Sequence, residues 1–312
     1  MYSEQRERLS RQRSSHSEPP IEAPEEAQRE EEDLASLVRA SIQDLPAPPA
    51  VLARVLHETQ KSDCSVAKLE GIIASDQAVA ARVLRVVNSA YYGLARRVET
   101  LSQAVLVLGV QQIRNLALSI SALSSIKANS PAQQQVIRRL WLHSLGTACV
   151  AERLGRIKEI DPKSIEILYI GGLLHDIGRL FLYTNFTEEY IRIDADGATH
   201  GSALTDIERA KFGFDHTEVG GELARKWNFP PSITSFIEGH EGPFDVDSPA
   251  AVMAVHIAAA VSVAVYEGAA FDSRVDAHAL HWANLGPEDI DSLREAARSQ
   301  KELGQALFSA AV

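Results

Sequence analysis

The stretch GGLLHDIGRLF, residues 171–181, sets a histidine and an aspartate side by side within an otherwise apolar helical pattern. Burying an unpartnered polar group costs roughly 2–7 kcal/mol, and an ionised carboxylate costs more unless a cation or hydrogen-bond donors compensate it. His175 and Asp176 therefore need partners from elsewhere in the chain.

The flanking sequence has the same apolar, helical character. From Leu34 onward, apolar residues recur every three or four positions in VLARVLHETQ, AVAARVLRVVNSA, SQAVLVLGVQQIRNLALSI, VIRRLWLHSLGTACVAERLG and IEILYIGGLLHDIGRLFLY. That is the period of helices burying one face. Strand signals are scarce, so the expected fold is all-α, a multi-helix bundle. Ser65, Ser75 and Asp161 followed by Pro162 read as helix starts, and Gly93, Gly155, Pro230 and Pro231 as breaks. VLRVVNSAYYGLA reads as core packing that ends in a loop, with Asn88, Tyr91 and Tyr92 capping and covering neighbouring helices. The alanine-rich run AAVMAVHIAAAVSVAVY, residues 250–266, is interrupted by His256 and reads as a core helix rather than a membrane span. ALHWANLG reads as a turn, and EDIDSLREAARSQKELGQALF as one amphipathic C-terminal helix.

Composition narrows the function. With 312 residues, 45% of them hydrophobic, the chain can bury a large core. A net charge of -11 argues against broad electrostatic binding to nucleic acid or anionic membrane. Cys64 and Cys149 are far apart and form no CxxC pair, so neither a disulfide framework nor a thiolate zinc site is expected and a reducing cytoplasm fits. The N-terminus lacks a secretory apolar region. Residues 1–33 read as a disordered charged tail, since EAPEEAQREEED has almost no apolar residues to drive ordering.

Of ten histidines, His16 lies in the tail, and His57, His200, His278 and His281 sit beside polar or loop-like sequence. His143, His175, His216 and His240 differ, because each lies within or at the edge of a separate apolar helical segment. Imidazoles with a carboxylate suit Fe, Mn or Zn, and such an ion would neutralise Asp176. Adjacent helical positions point about 100° apart, so other helices must complete any shell around the pair. Gly171, Gly172 and Gly178 allow that approach. Two readings stand on spacing alone: a metal centre, or structural histidines hydrogen-bonded to one another and to Asp176.

Four stretches together resemble an HDOD domain, the degenerate relative of HD-domain metal-dependent phosphohydrolases. They are LPAPPAVLARVL at 45–56, VLRVVNSAYYGLARRVETLSQAVLVLGVQQIRNLAL at 83–118, LLHDIGRL at 173–180, and ERAKFGFDHTEVGGELARKWNFPPSITSFIEGHE at 208–241. The resemblance implies a bundle over residues 34–260 whose HD-like half spans about 131–260, with 261–312 as a helical extension. It also implies a metal set of His143, His175, Asp176, His216 and His240, with Glu241 and His256 as further candidates. This sequence departs from the HD pattern in four places. Glu241 stands where a second histidine is common, and Ala259 stands at the final aspartate station. EGPFDVDSP replaces the Gly-Tyr-Pro signature of cyclic-di-GMP phosphodiesterases, and Arg179 replaces the lysine after HDIG.

The expected function is a bacterial, cytoplasmic regulatory or signal-transduction module. It binds metal, is catalytically degenerate, and acts through a signalling protein partner or as an oligomer. The alternative is a metal-dependent phosphohydrolase or phosphodiesterase acting on a nucleotide or cyclic nucleotide, with His175 and Asp176 as its catalytic candidates. The tail reading generates a prediction: deleting residues 1–33 leaves the melting temperature unchanged, and limited proteolysis cuts there first. A large fall in melting temperature on truncation contradicts it.

Overall fold

The computed structural model describes residues 35–311, apart from 45–46, 60, 62–64, 125, 127, 129, 201–203, 269 and 272–274. The expected tail and Cys64 lie outside the described residues. Helical residues 35–43 precede α1 (Ala50–Thr59), α2 (Val66–Ala74), α3 (Gln77–Val87), α4 (Leu101–Leu108) and α5 (Val110–Ser124). A second group follows, comprising α6 (Pro131–Ile157), α7 (Pro162–Leu174), α8 (Ile177–Asn185), α9 (Thr187–His200), α10 (Leu204–Phe212), α11 (His216–Lys226), α12 (Pro231–Gly239) and α13 (Ala250–Glu267). Helices α14 (Ala277–Ala283), α15 (Pro287–Arg298) and α16 (Gln300–Ala311) follow in turn. No strand occurs among the described residues, so the fold is all-α as the periodicity requires.

Two helices organise the packing. In the first group α5 is central and touches α1, α2, α3 and α4; residues 113–123 of α5 are all buried. In the second, the 27-residue α6 is a spine against which α7, α8, α13, α15 and α16 pack, with Trp141, Leu145 and Leu154 fully enclosed. Helix α16 also packs on α3 and α5, which ties the chain's last helix to the first group.

Local signals account for most boundaries. Ser65 caps α2, and Asp161 caps α7 with Pro162 in its first turn. Asn88 ends α3 and fastens the following loop: its amide donates to Leu84 O and Val98 O, and its carbonyl accepts from Val98 N–H, each at 2.8 Å. Tyr92 accepts a hydrogen bond from Gln112 at 2.9 Å.

Other expectations need correction. Ser75 closes α2, and its neighbour Asp76 caps α3, because only the carboxylate reaches the free N–H groups of Ala78 and Val79. Gly155 does not break α6; it lies against Leu168 and Ile165, where α6 and α7 cross closely. ALHWA forms α14, capped by Asp276, instead of a turn. The C-terminal stretch is two helices parted at Ser299: both pack on α6, but α15 turns to α13 and α16 to α3 and α5. Helix α13, by contrast, is the core helix expected over residues 250–266: it is long and apolar enough to cross a membrane, yet more than half of it is buried against protein.

Gly178 is required by a crossing of α8 and α11, because a Cβ there would collide with His216 O and lie 2.7 Å from Gly220 N. Gly71 is exposed within α2, and a Cβ added there would meet nothing within 4 Å. Gly178→Ala is therefore expected to cost about 3 kcal/mol or more. Gly71→Ala is expected to stabilise by about 0.5–1 kcal/mol. Urea unfolding of both variants checks the pair, and equal effects would contradict the backbone-contact explanation.

Candidate metal centre

The break between α7 and α8 falls at the His-Asp pair. His175 ends α7, and Asp176 begins α8 with φ -94° and ψ 20°, outside helical geometry. This corrects the reading of a continuous helix through 171–181. The bend removes the 100° divergence, so both side chains serve one cluster: His175 Nε2 lies 3.6 Å from Asp176 Oδ2. Behind the pair, Gly172 lets α7 approach α6, since a Cβ there would meet the Ala148 backbone at 2.7 Å.

Four helices deliver the histidines around this carboxylate. His143 comes from the middle of α6, His175 from the end of α7, His216 from the start of α11 and His240 from the end of α12. On one side of Asp176, Oδ2 faces His143 Nε2 at 3.7 Å and His175 Nε2 at 3.6 Å. On the other, Oδ1 faces His216 Nε2 and His240 Nε2, each at 3.5 Å. All five residues are buried, and they form two potential ligand triplets that share Asp176.

The remaining ring nitrogens fix the orientation of three imidazoles. His175 Nδ1–H donates to Gly172 O at 2.8 Å, and His240 Nδ1–H donates to Ile237 O at 3.0 Å. His216 Nδ1–H donates to Glu208 Oε2 at 2.6 Å. His143 Nδ1 has no hydrogen-bond partner among the described residues. In their neutral forms His175, His216 and His240 therefore turn Nε2 lone pairs inward.

The Nε2 atoms converge in two pairs. His143 and His175 approach Nε2 to Nε2 at 3.2 Å, and His216 and His240 at 3.4 Å. Such pairs repel unless a proton or metal ion lies between them. Nitrogen ligands about 2.1 Å from one tetrahedral or octahedral ion lie roughly 3.0–3.4 Å apart, so the donor set fits a transition metal.

Electrostatics agree with that fit. Burial would raise the Asp176 carboxyl, but His175 and Arg179, among others, hold it well below the usual range. Burial pushes His143 and His175 down, with Asp176 opposing, so both favour the neutral, ligating form. Burial also works against charge on His216, yet Glu208 overcomes it and raises this histidine to about 9. Without metal, a proton on His216 faces Asp176; a bound ion takes that proton's place.

The two further candidates behave differently. Glu241 Oε1 lies 3.7 Å from His216 Nε2 and 3.6 Å from His240 Nε2, at a partly exposed edge of the cluster. His256 does not join it: Nδ1–H donates to His240 O at 2.7 Å, and Nε2 accepts the Asp276 N–H at 2.9 Å. Both its nitrogens are used in holding backbone. Ala259 stands one turn after His256 and one turn before Ser262, whose hydroxyl donates to His143 O at 3.0 Å. Since residues three apart share a helix face, Ala259 lies on the face of α13 that packs against the backbones of two cluster histidines.

Sequence reasoning missed Glu208 and Ser262. Glu208, at 0% exposure, accepts from the Tyr190 hydroxyl, the His216 backbone N–H at 3.0 Å and the His216 ring. Its one signal was its place eight residues before His216, in ERAKFGFDH. Ser262 gave none, being a small residue in an alanine-rich helix. His57 and His281 are exposed and His278 is half-buried, in keeping with their bland reading.

Comparison with known proteins follows the same outline. An uncharacterized protein of Treponema pallidum (strain Nichols) is 26% identical over 215 residues, covering 69% of this chain. The match covers only 41% of that relative, so the chain spans less than half its length. A crystal structure of a Shewanella amazonensis protein, provisionally named a phosphohydrolase, is 22% identical with a TM-score of 0.66, covering 88% of this chain and 98% of that one. A Geobacter sulfurreducens HDOD domain protein with unknown function is 21% identical with a TM-score of 0.62, covering 91% and 96% respectively. At these identities the two structures establish the fold. The HDOD domain pattern itself matches residues 45–243, which is most of the chain and includes all five clustered residues, and the chain belongs to the HDOD domain family.

Proposed function

We propose that this chain is a regulatory signal-transduction module that holds a transition metal at Asp176, is catalytically degenerate, and acts through contacts with a protein partner. The observation that carries this reading is Ala259. Helix α13 is fastened to the cluster on both sides of it, by His256 on His240 O and Ser262 on His143 O, yet contributes no ligand between them.

His143, His175, Asp176, His216 and His240 would hold the metal, and Glu241 is placed to add an oxygen. A metal ion in an HD-type site supplies a bound water of lowered pKa and a charge that orients phosphate. In this chain Asp176 faces four imidazoles, Glu208 holds the His216 proton on Nδ1, and Arg179 places its guanidinium 3.1 Å from Asp176 Oδ2. Glu241 occupies the exposed edge of the cluster, and between His256 and Ser262 α13 carries no charged ligand. That combination favours retention of metal over turnover.

The first helical group, α1 to α5, supplies no residue to the cluster. Its α4 leaves Leu106 85% and Val107 53% exposed, a surface suited to protein rather than to nucleic acid in a chain of net charge -11. One observation favours the alternative phosphohydrolase reading: the donor set is sufficient for two ions sharing Asp176, the arrangement that two-metal hydrolysis uses.

Two outcomes are expected. Fe, Mn or Zn co-purifies with the chain and is lost in a His175→Ala, Asp176→Ala double variant, as elemental analysis will read; metal content unchanged by that variant would refute the site. Wild-type protein hydrolyses neither cyclic dinucleotides nor simple phosphodiesters above a metal-only control, while Ala259→Asp binds metal more tightly by adding a charged oxygen ligand. Robust wild-type turnover abolished in Asp176→Ala overturns the regulatory reading. Weaker metal binding in Ala259→Asp shows that this face of α13 does not address the metal.

A further inference from the structure

The four imidazoles of the cluster are not equivalent, and their differences are graded by what stands behind each ring. His216 is backed by a buried carboxylate, Glu208, at 2.6 Å; His175 and His240 are backed by neutral carbonyls at 2.8 and 3.0 Å; His143 Nδ1 has no hydrogen-bond partner among the described residues. A carboxylate on Nδ1–H increases electron density at Nε2 and strengthens the ring as a ligand more than a carbonyl does.

The oxygens of Asp176 divide in the same direction. Oδ1 faces His216 and His240, beside which Glu241 adds a second carboxylate. Oδ2 faces His143 and His175, and it also accepts a hydrogen bond from Arg179 Nη1 at 3.1 Å. One side thus gathers the negative charges of Glu208 and Glu241, while a guanidinium already partners the other.

Resting on the metal-binding reading above, the geometry points to two unequal metal positions. A tight one is built on Asp176 Oδ1 by His216, His240 and Glu241, with Glu208 as its positioning residue. A weak one lies on Oδ2, where Arg179 stands in for a second cation. Tyr190 belongs to the tight position, because its hydroxyl on Glu208 Oε1 leaves Oε2 directed at His216. At limiting metal the chain is a one-ion protein, and the second ion loads only against the charge of Arg179.

Calorimetric titration of the metal-stripped chain with Mn²⁺, with elemental analysis for stoichiometry, tests this. Wild type is expected to take one ion tightly and a second at least tenfold more weakly. Glu208→Gln, which keeps an acceptor but removes the charge, should weaken the tight position about 10–100-fold and leave the weak one in place. Arg179→Met should bring the second ion close to the affinity of the first. Equal loading of two ions in wild type, equal weakening of both positions by Glu208→Gln, or an unchanged second ion in Arg179→Met each overturns the inference while the metal reading stands. A wild-type chain that takes up no ion overturns both. The melting temperature of metal-free Glu208→Gln reports whether it folds; if it does not, the Arg179→Met titration decides alone.

Discussion

The Asp176 carboxylate, buried at the bend between two helices and shared by four imidazoles, is the constraint on which this structure depends. A lone charge in such a position would be prohibitive, and its compensation comes from separate helices, α6, α7, α11 and α12, brought together at ångström tolerance. Small residues make that convergence feasible. Gly172 sits against the Ala148 backbone and Gly178 against the His216 carbonyl, so the helices carrying the cluster meet backbone to backbone at the points where short side chains must reach.

Around this centre runs a shell whose work is orientation. Glu208 and Tyr190 fix His216, the Gly172 and Ile237 carbonyls fix His175 and His240, and His256 and Ser262 bind the backbones of His240 and His143. Such partners determine which nitrogen of each ring is offered inward, and hence how strongly it binds a cation. The cluster is in this sense prearranged. Between His256 and Ser262, which fasten α13 in place, that helix carries Ala259 and no charged side chain.

The two helical groups are joined by contacts of a different kind. Arg114 on α5 pairs with Glu166 on α7 at 2.8 Å, Gln111 donates to Glu152 on α6 at 3.0 Å, and α16 packs across α3, α5 and α6. Arg85 on α3 further donates to Ala310 O at 3.2 Å. Helix α16 is thus part of the packing of both groups, and the spine α6, which carries His143, is in direct contact with the group that carries the exposed Leu106 and Val107.

The helical class was legible in the three- and four-residue periodicity, and His143, His175, Asp176, His216 and His240 stood out because they are polar residues embedded in apolar helices. Caps such as Ser65 and Asp161 were legible for the same reason: their hydrogen bonds are local, made within three residues. Tertiary structure alone decided what depends on long-range approach. Whether Gly155 breaks a helix or receives its neighbour depends on where α7 lies. Whether His256 binds metal or holds backbone depends on the position of the His240 carbonyl and the Asp276 N–H. The role of Glu208 depends on α10 lying behind α11, and the bend at Asp176 on the four rings that its two oxygens must face. Local chemistry fixes which residues are costly to bury; only the packed chain fixes which atoms compensate them.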